Sequence, residues 1–120
     1  MNNSITILDM IEGLQDVNPD MFNTLEYLIR KWIDDENISL PTREQYNSVK
    51  GIDLFKSFRQ YIKGIYNIFK GMSETVAYTW FEIVLLKTII YPAPEDNLQE
   101  PTPDFEDADD IEQYLREENS

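Results

Sequence analysis

Between Glu74 and Tyr91 the chain reads as a helix without a polar face. Val76, Ala77, Tyr78, Trp80, Phe81, Ile83, Val84, Leu85, Leu86, Ile89, Ile90 and Tyr91 point in every direction around its axis. A helix that is apolar all round has to be surrounded, so the rest of the chain must wrap it or a partner surface must cover it. Its last residues, the β-branched run Thr88-Ile89-Ile90-Tyr91, also fit a strand, and the sequence leaves both readings open. Pro92 and Pro94 end the segment in either case. Glu82 and Lys87 interrupt it, and it falls short of the ~20 apolar residues a bilayer span needs, so no membrane partner is expected.

The residues before it supply the wrapping. Ser4 or Thr6 can cap a first helix, with Thr6 and Asp9 at capping-box spacing and Ile7, Leu8, Met10, Ile11 and Leu14 as its apolar face. Asn18-Pro19-Asp20 then combines an N-cap, a proline at the first helical position and an early acid. Met21, Phe22, Leu25, Leu28, Ile29, Trp32 and Ile33 follow at steps of three and four, a strongly amphipathic stripe. Asp34, Asp35 and Glu36 close this helix against its own dipole, a cost that a basic neighbour could relieve.

Leu40-Pro41 breaks the chain, and Thr42 with Gln45 predicts the capping box of a long third helix. Its stripe is Tyr46, Val49, Leu54, Phe58, Tyr61, Ile65, Ile68 and Met72, with Phe55, Ile62 and Phe69 widening the face. Gly51 either marks a break or sits inside this helix, Gly64 permits a close approach of another backbone, Gly71 reads as a C-terminal cap, and Ser73 caps the fourth helix. The expected fold is all-α, with about four helices in a compact bundle over residues 1–92.

What the chain lacks limits its chemistry. It has no Cys and no His, hence no disulfide framework, thiol nucleophile, Cys-ligated zinc, imidazole base or Ser-His-Asp triad. Ser57, Ser73 and Thr75 have no base to activate them, and no glycine-rich phosphate loop is present. Glu74 and Glu82 are the only carboxylates placed for paired acid chemistry, and a capping or ion-pairing role fits both better. The acids Asp104, Glu106, Asp107, Asp109 and Asp110 do not make a calcium loop, because Asp109 stands where the sixth-position glycine is required. No catalysis and no cofactor are expected.

The formal charge of −13 is unevenly distributed. Residues 1–42 hold eight acids and two bases, residues 43–92 seven bases and four acids, and residues 93–120 eleven acids and one base. From Ala93 onward, Pro94, Pro101 and Pro103 break any long element, which defines an acidic arm. Residues 107–118 can form one short helix with Ala108, Ile111, Tyr114 and Leu115 on one side, too short to be stable undocked. Such an arm repels phosphates, so no direct nucleic-acid partner is expected. It suits a larger protein with a basic or mixed groove, steered by charge and anchored by apolar burial. The candidate partner-binding residues are Phe105, Asp107, Asp109, Asp110, Ile111, Tyr114 and Leu115. Lys50, Lys56, Arg59, Lys63 and Lys70 fit three roles: a solvated helix face, a nucleic-acid contact, or a surface onto which the arm folds back. With no basic leader at Met1-Asn2-Asn3-Ser4, a cytoplasmic location is expected.

In size, acidity, helical body and missing catalytic residues, the chain resembles small phage-encoded anti-defence proteins. That resemblance is one of character and carries no motif residues across. It implies a non-catalytic inhibitor that binds a bacterial defence protein stoichiometrically, with a sirtuin-domain NADase as one target class and host cytoplasm as the setting. Two alternatives stand beside it. One is a DNA mimic that blocks a nucleic-acid-binding protein, which the net positive middle segment disfavours. The other is a virion or assembly accessory protein, with a homo-oligomer formed through the 76–91 surface.

Overall fold

In the computed structural model, residues 6–63 and 66–92 are described, and all regular structure among them is helical. The helices are α1 (Ile7–Val17), α2 (Pro19–Asp35), α3 (Ser48–Ile62) and α4 (Glu74–Ile90). Local chemistry sets most of their ends. Thr6 and Asp9 form the reciprocal box that starts α1. Asn18 accepts from the Met21 N–H, Asn47 from Lys50 and Ser73 from Val76, each relieving an orphaned donor of a first turn. Where α2 ends, Asn37 takes the left-handed conformation (φ 54°). The Ile38 N–H then donates to the Ile33 carbonyl at 2.9 Å and the Asn37 N–H to Asp34 at 3.4 Å, a Schellman termination built on Asn instead of Gly.

Helix α4 occupies the centre, packed against α1, α2 and α3. Ala77, Trp80, Phe81, Ile83, Val84, Leu85 and Leu86 are all buried along it, as the lack of a polar face requires. The strand alternative for its end does not hold. Thr88 donates its hydroxyl to the Val84 carbonyl at 3.0 Å, and the Tyr91 N–H closes the last turn on Lys87. From α2, Trp32 stands edge-on to Phe58 (5.5 Å) and Phe81 (6.1 Å), which joins three helices in one aromatic cluster. Such pairs add roughly 0.5–1.5 kcal/mol each beyond the area they bury.

The third helix departs most from expectation. Thr42 and Gln45 do make their reciprocal hydrogen bonds, but these close an isolated turn, and α3 begins only after Asn47. The Tyr46 hydroxyl reaches Glu82 on α4 at 2.6 Å, so the chain bends there instead of continuing the helix. At the other end α3 stops at Ile62. In one unbroken helix Phe55 and Phe69 would lie ~21 Å apart. Their rings are 5.9 Å apart, and Phe69 also meets Phe58 at 6.4 Å, because residues 66–72 fold back on α3 through turns. The heptad-like spacing is therefore satisfied by a reversal of the chain. Val49, assigned to the apolar stripe, is 69% exposed, and Leu8 on α1 is also exposed. Gly71 adopts the left-handed conformation (φ 77°) inside the turn before Ser73, where it closes no helix.

Gly51 does not break α3. A Cβ there would meet the Tyr46 hydroxyl and lie 2.6 Å from the Tyr78 hydroxyl. Only a glycine lets α3 approach α4 this closely.

Candidate functional site

Two charged groups within the apolar packing of α2 and α4 organise the end of the helical body. Glu26 is fully buried, and Lys87 donates to its Oε1 at 2.7 Å from α4. One turn along α2, Arg30 donates to Glu26 Oε2 through Nε (3.0 Å) and a terminal nitrogen (2.8 Å). The same guanidinium donates to the Tyr91 and Pro92 carbonyls, both at 2.8 Å. These are the last two described residues of the chain. The Lys87 ammonium also lies 5.3 Å from the centre of the Phe22 ring, whose face favours a cation. The result is a buried carboxylate held by two cations, one of which clamps the point where the chain leaves the body.

Beside this clamp lies an open groove of about 720 Å³. Tyr27, Ile33, Ile38 and Leu40 form an apolar floor that is only half-covered, and Thr88 and Pro92 flank it. The Schellman turn places Ile33 and Ile38 on this floor together. Lys31, Asp34, Asp35 and Asn37 supply the polar rim. Lys31 pairs with Asp35 at 3.4 Å, and the Tyr61 hydroxyl donates to the same carboxylate at 2.5 Å. The Tyr61 hydroxyl first, and Lys31 after it, hold Asp35 below the usual carboxylate range against the opposing effect of burial. The acid-rich end of α2 thus gains part of the relief it needs from its own helix and from α3.

A second cleft, of about 420 Å³, lies at the end of α3. Arg59 and Lys63 line it with Tyr66, Asn67, Ile68 and Phe69, and no carboxylate is among its described lining residues. Tyr66 interacts electrostatically with both Lys31 and Tyr61, so the cleft borders the groove rim across the Lys31–Asp35–Tyr61 cluster.

The sequence-derived candidates fall unevenly on this geometry. Phe105, Asp107, Asp109, Asp110, Ile111, Tyr114 and Leu115 lie outside the described residues, as does the short helix expected over 107–118. Lys50, Lys56, Arg59, Lys63 and Lys70 are all exposed, and Arg59 forms a loose ion pair with the exposed Glu74 at 3.5 Å. Glu82 accepts hydrogen bonds from Tyr46 (2.6 Å) and Tyr78 (3.1 Å), a structural tie between α4 and the start of α3. Burial first, and then the bond to Glu82, push the Tyr46 hydroxyl well above its ordinary range. No three acidic side chains converge to hold a metal ion among the described residues. None of the described helices is long and apolar enough to cross a membrane.

Sequence reasoning missed the Glu26–Arg30–Lys87 cluster, although a signal was present. A lone lysine inside the apolar run Ile83–Ile90 requires a buried acid, and Glu26 sits one residue from Leu25 on the buried side of α2. These features define an all-α four-helix domain with a clamped exit and an adjoining amphipathic groove. No family model, no curated protein and no solved structure matches the chain.

Proposed function

We propose that this protein acts without catalysis, by stoichiometric binding to a larger protein, and that its target is a bacterial anti-phage defence protein such as a sirtuin-domain NADase. The observation that carries the binding reading is the open groove at the chain exit. Its floor of Tyr27, Ile33, Ile38 and Leu40 is half-buried and its rim is charged. An apolar centre inside a polar rim is the arrangement of a protein-docking surface. The described chain ends beside this groove at Pro92, and in the acidic sequence that follows Phe105, Ile111, Tyr114 and Leu115 can serve as anchors and Asp107, Asp109 and Asp110 as steering charges. The inhibitor reading adds the resemblance in size and acidity to small anti-defence proteins.

Two measurements test it. In affinity capture from infected bacterial lysate, the wild-type protein recovers a one-to-one partner, and an Ile38→Asp variant with a native circular-dichroism spectrum loses it. In titration against a purified sirtuin-domain NADase, NAD hydrolysis falls in proportion to added protein and ends at equimolar ratio. Equal capture by wild type and variant refutes the groove as the docking surface, and an unaffected NADase refutes that target class.

A further inference from the structure

The groove and the basic cleft approach one another at Tyr66, which lines the cleft and interacts with Lys31 on the groove rim, and Pro92 flanks the groove. We propose that the groove and the Arg59–Lys63 cleft form a docking track for residues 93–120 of the same chain, so that the free protein covers its own binding surface. The inference concerns the unbound molecule and holds whichever partner the protein has.

Three observations support it. First, Pro92 itself flanks the groove, and Arg30 fixes its carbonyl and that of Tyr91 at 2.8 Å. The described chain therefore ends beside the half-buried floor. Leu98, the first large apolar residue of the arm, is six residues on, within ~20 Å of extended chain. A tether this short gives an effective concentration in the millimolar range, so Leu98 and the charges after it need to act together to hold the whole arm in place.

Second, the charges are complementary. The arm carries eleven acids and one base, whereas Arg59, loosely paired with Glu74 at 3.5 Å, and Lys63 are the charged residues among the described lining of the cleft beyond the Lys31–Asp35–Tyr61 border. Asp34 and Asp35 on the groove rim disfavour the acidic half of the arm there, which directs Phe105 and the acids after it towards the cleft. Third, the arm's order matches the track. After the acids Glu95 and Asp96, the apolar anchor Leu98 comes within reach of the apolar floor, and the acid-dense stretch 104–112 follows, far enough along the chain to reach the cations.

The chain has no Cys, so one introduced thiol gives one labelling site. Spin labels on Gln99→Cys and Gln113→Cys in the full chain report where the arm lies through paramagnetic loss of NMR signal. With the label at 99, signals of Ile33, Ile38 and Leu40 lose intensity; with the label at 113, those of Arg59 and Lys63 do. Adding 1 M salt shortens the screening length from about 10 Å to about 3 Å. Salt should therefore restore the signals at Arg59 and Lys63 and leave the loss at Ile38. A Leu98→Asp change in the Gln99→Cys chain should restore the signals at Ile33 and Ile38. Loss confined to residues adjoining Pro92, or loss spread evenly over all four helices, overturns the proposal. So does loss on an isotope-labelled chain mixed with a spin-labelled, isotopically silent one, since that places the arm on a second copy. Failure here leaves the lysate and NADase tests of partner binding intact, because they read the complex.

Discussion

Replacing Glu26 by Ala removes the carboxylate from two cations at once, one of them held out of water. The Lys87 side chain is 4% exposed and that of Glu26 fully buried, with 2.7 Å between the charged atoms. Arg30 is 12% exposed and keeps the Tyr91 and Pro92 carbonyls, so the buried charge that loses its carboxylate is mainly that of Lys87. Removing one member of a buried pair costs about 3–5 kcal/mol, because the desolvation of the other is no longer offset. Lys87→Met should cost less. Glu26 keeps both bonds from Arg30, and the loss is about 1.5–3 kcal/mol, that of a hydrogen bond to a charged group. The double change Glu26→Leu with Lys87→Met removes both charges and should fall nearer the wild type than Glu26→Ala does. Urea denaturation of the wild type, Glu26→Leu, Lys87→Met and their double variant completes the cycle, with Glu26→Ala measured beside it. At roughly 4–8 °C per kcal/mol for a domain this size, Glu26→Ala should lower Tm by more than about 12 °C. A loss under about 1 kcal/mol for Glu26→Ala, or a double variant that loses the sum of the singles, would refute this account of the cluster.

Gly51→Ala should destabilise the protein although alanine gains about 1 kcal/mol in helix propensity. The new methyl displaces the Tyr46 and Tyr78 hydroxyls from Glu82 at an overpacking cost of about 1–3 kcal/mol, and a higher urea midpoint for the variant would contradict the close approach. In alkali, Tyr46 and Tyr78 keep their protons in the folded protein after they would lose them in the unfolded chain, because burial raises both. Stability should therefore be complete below about pH 10 and fall as pH rises above it, with Tyr46→Phe flattening the fall in melts over that range. On the acid side, Asp35 lies below its ordinary value. Its contribution is present above about pH 4 and disappears as pH falls through the folded value, and Tyr61→Phe should shrink the difference between neutral and acid melting temperatures.

How much could be read in advance depended on whether a signal was local. The capping chemistry of Thr6, Asn18 and Ser73 was legible because each acts within three residues, and all three caps form. The central place of α4 was legible because a helix apolar all round has few alternatives. The extent of α3 was not. The spacing from Leu54 to Met72 suits a helix equally well when its second half folds back, and the reversal is decided by Phe69 meeting Phe55 and Phe58. The Thr42–Gln45 box was real, yet the contact that overrides it, Tyr46 with Glu82, spans 36 residues. The groove escaped for the same reason. Its floor is assembled from α2, the turn after it and the end of α4, and only Asn37, a residue suited to a left-handed helix end, marked its position in the sequence.

The clamp at the chain exit also bears on how the protein is made. Ribosomal synthesis delivers α2 well before α4, and the Glu26–Lys87 and Arg30–Tyr91 contacts each span 61 residues. Until α4 emerges, Glu26 has only Arg30 as a charged partner, and the face of α2 that packs on α4 has nothing to bury against. Helical domains with mostly local contacts fold fastest, and this one makes its final closure wait for a distant pair. Ribosome-bound chains that still hold Lys87 in the exit tunnel should be degraded readily by protease, and those carried by a C-terminal extension until Pro92 is outside should resist. A charge pair that looks like a stability device in the finished protein would then also time its folding.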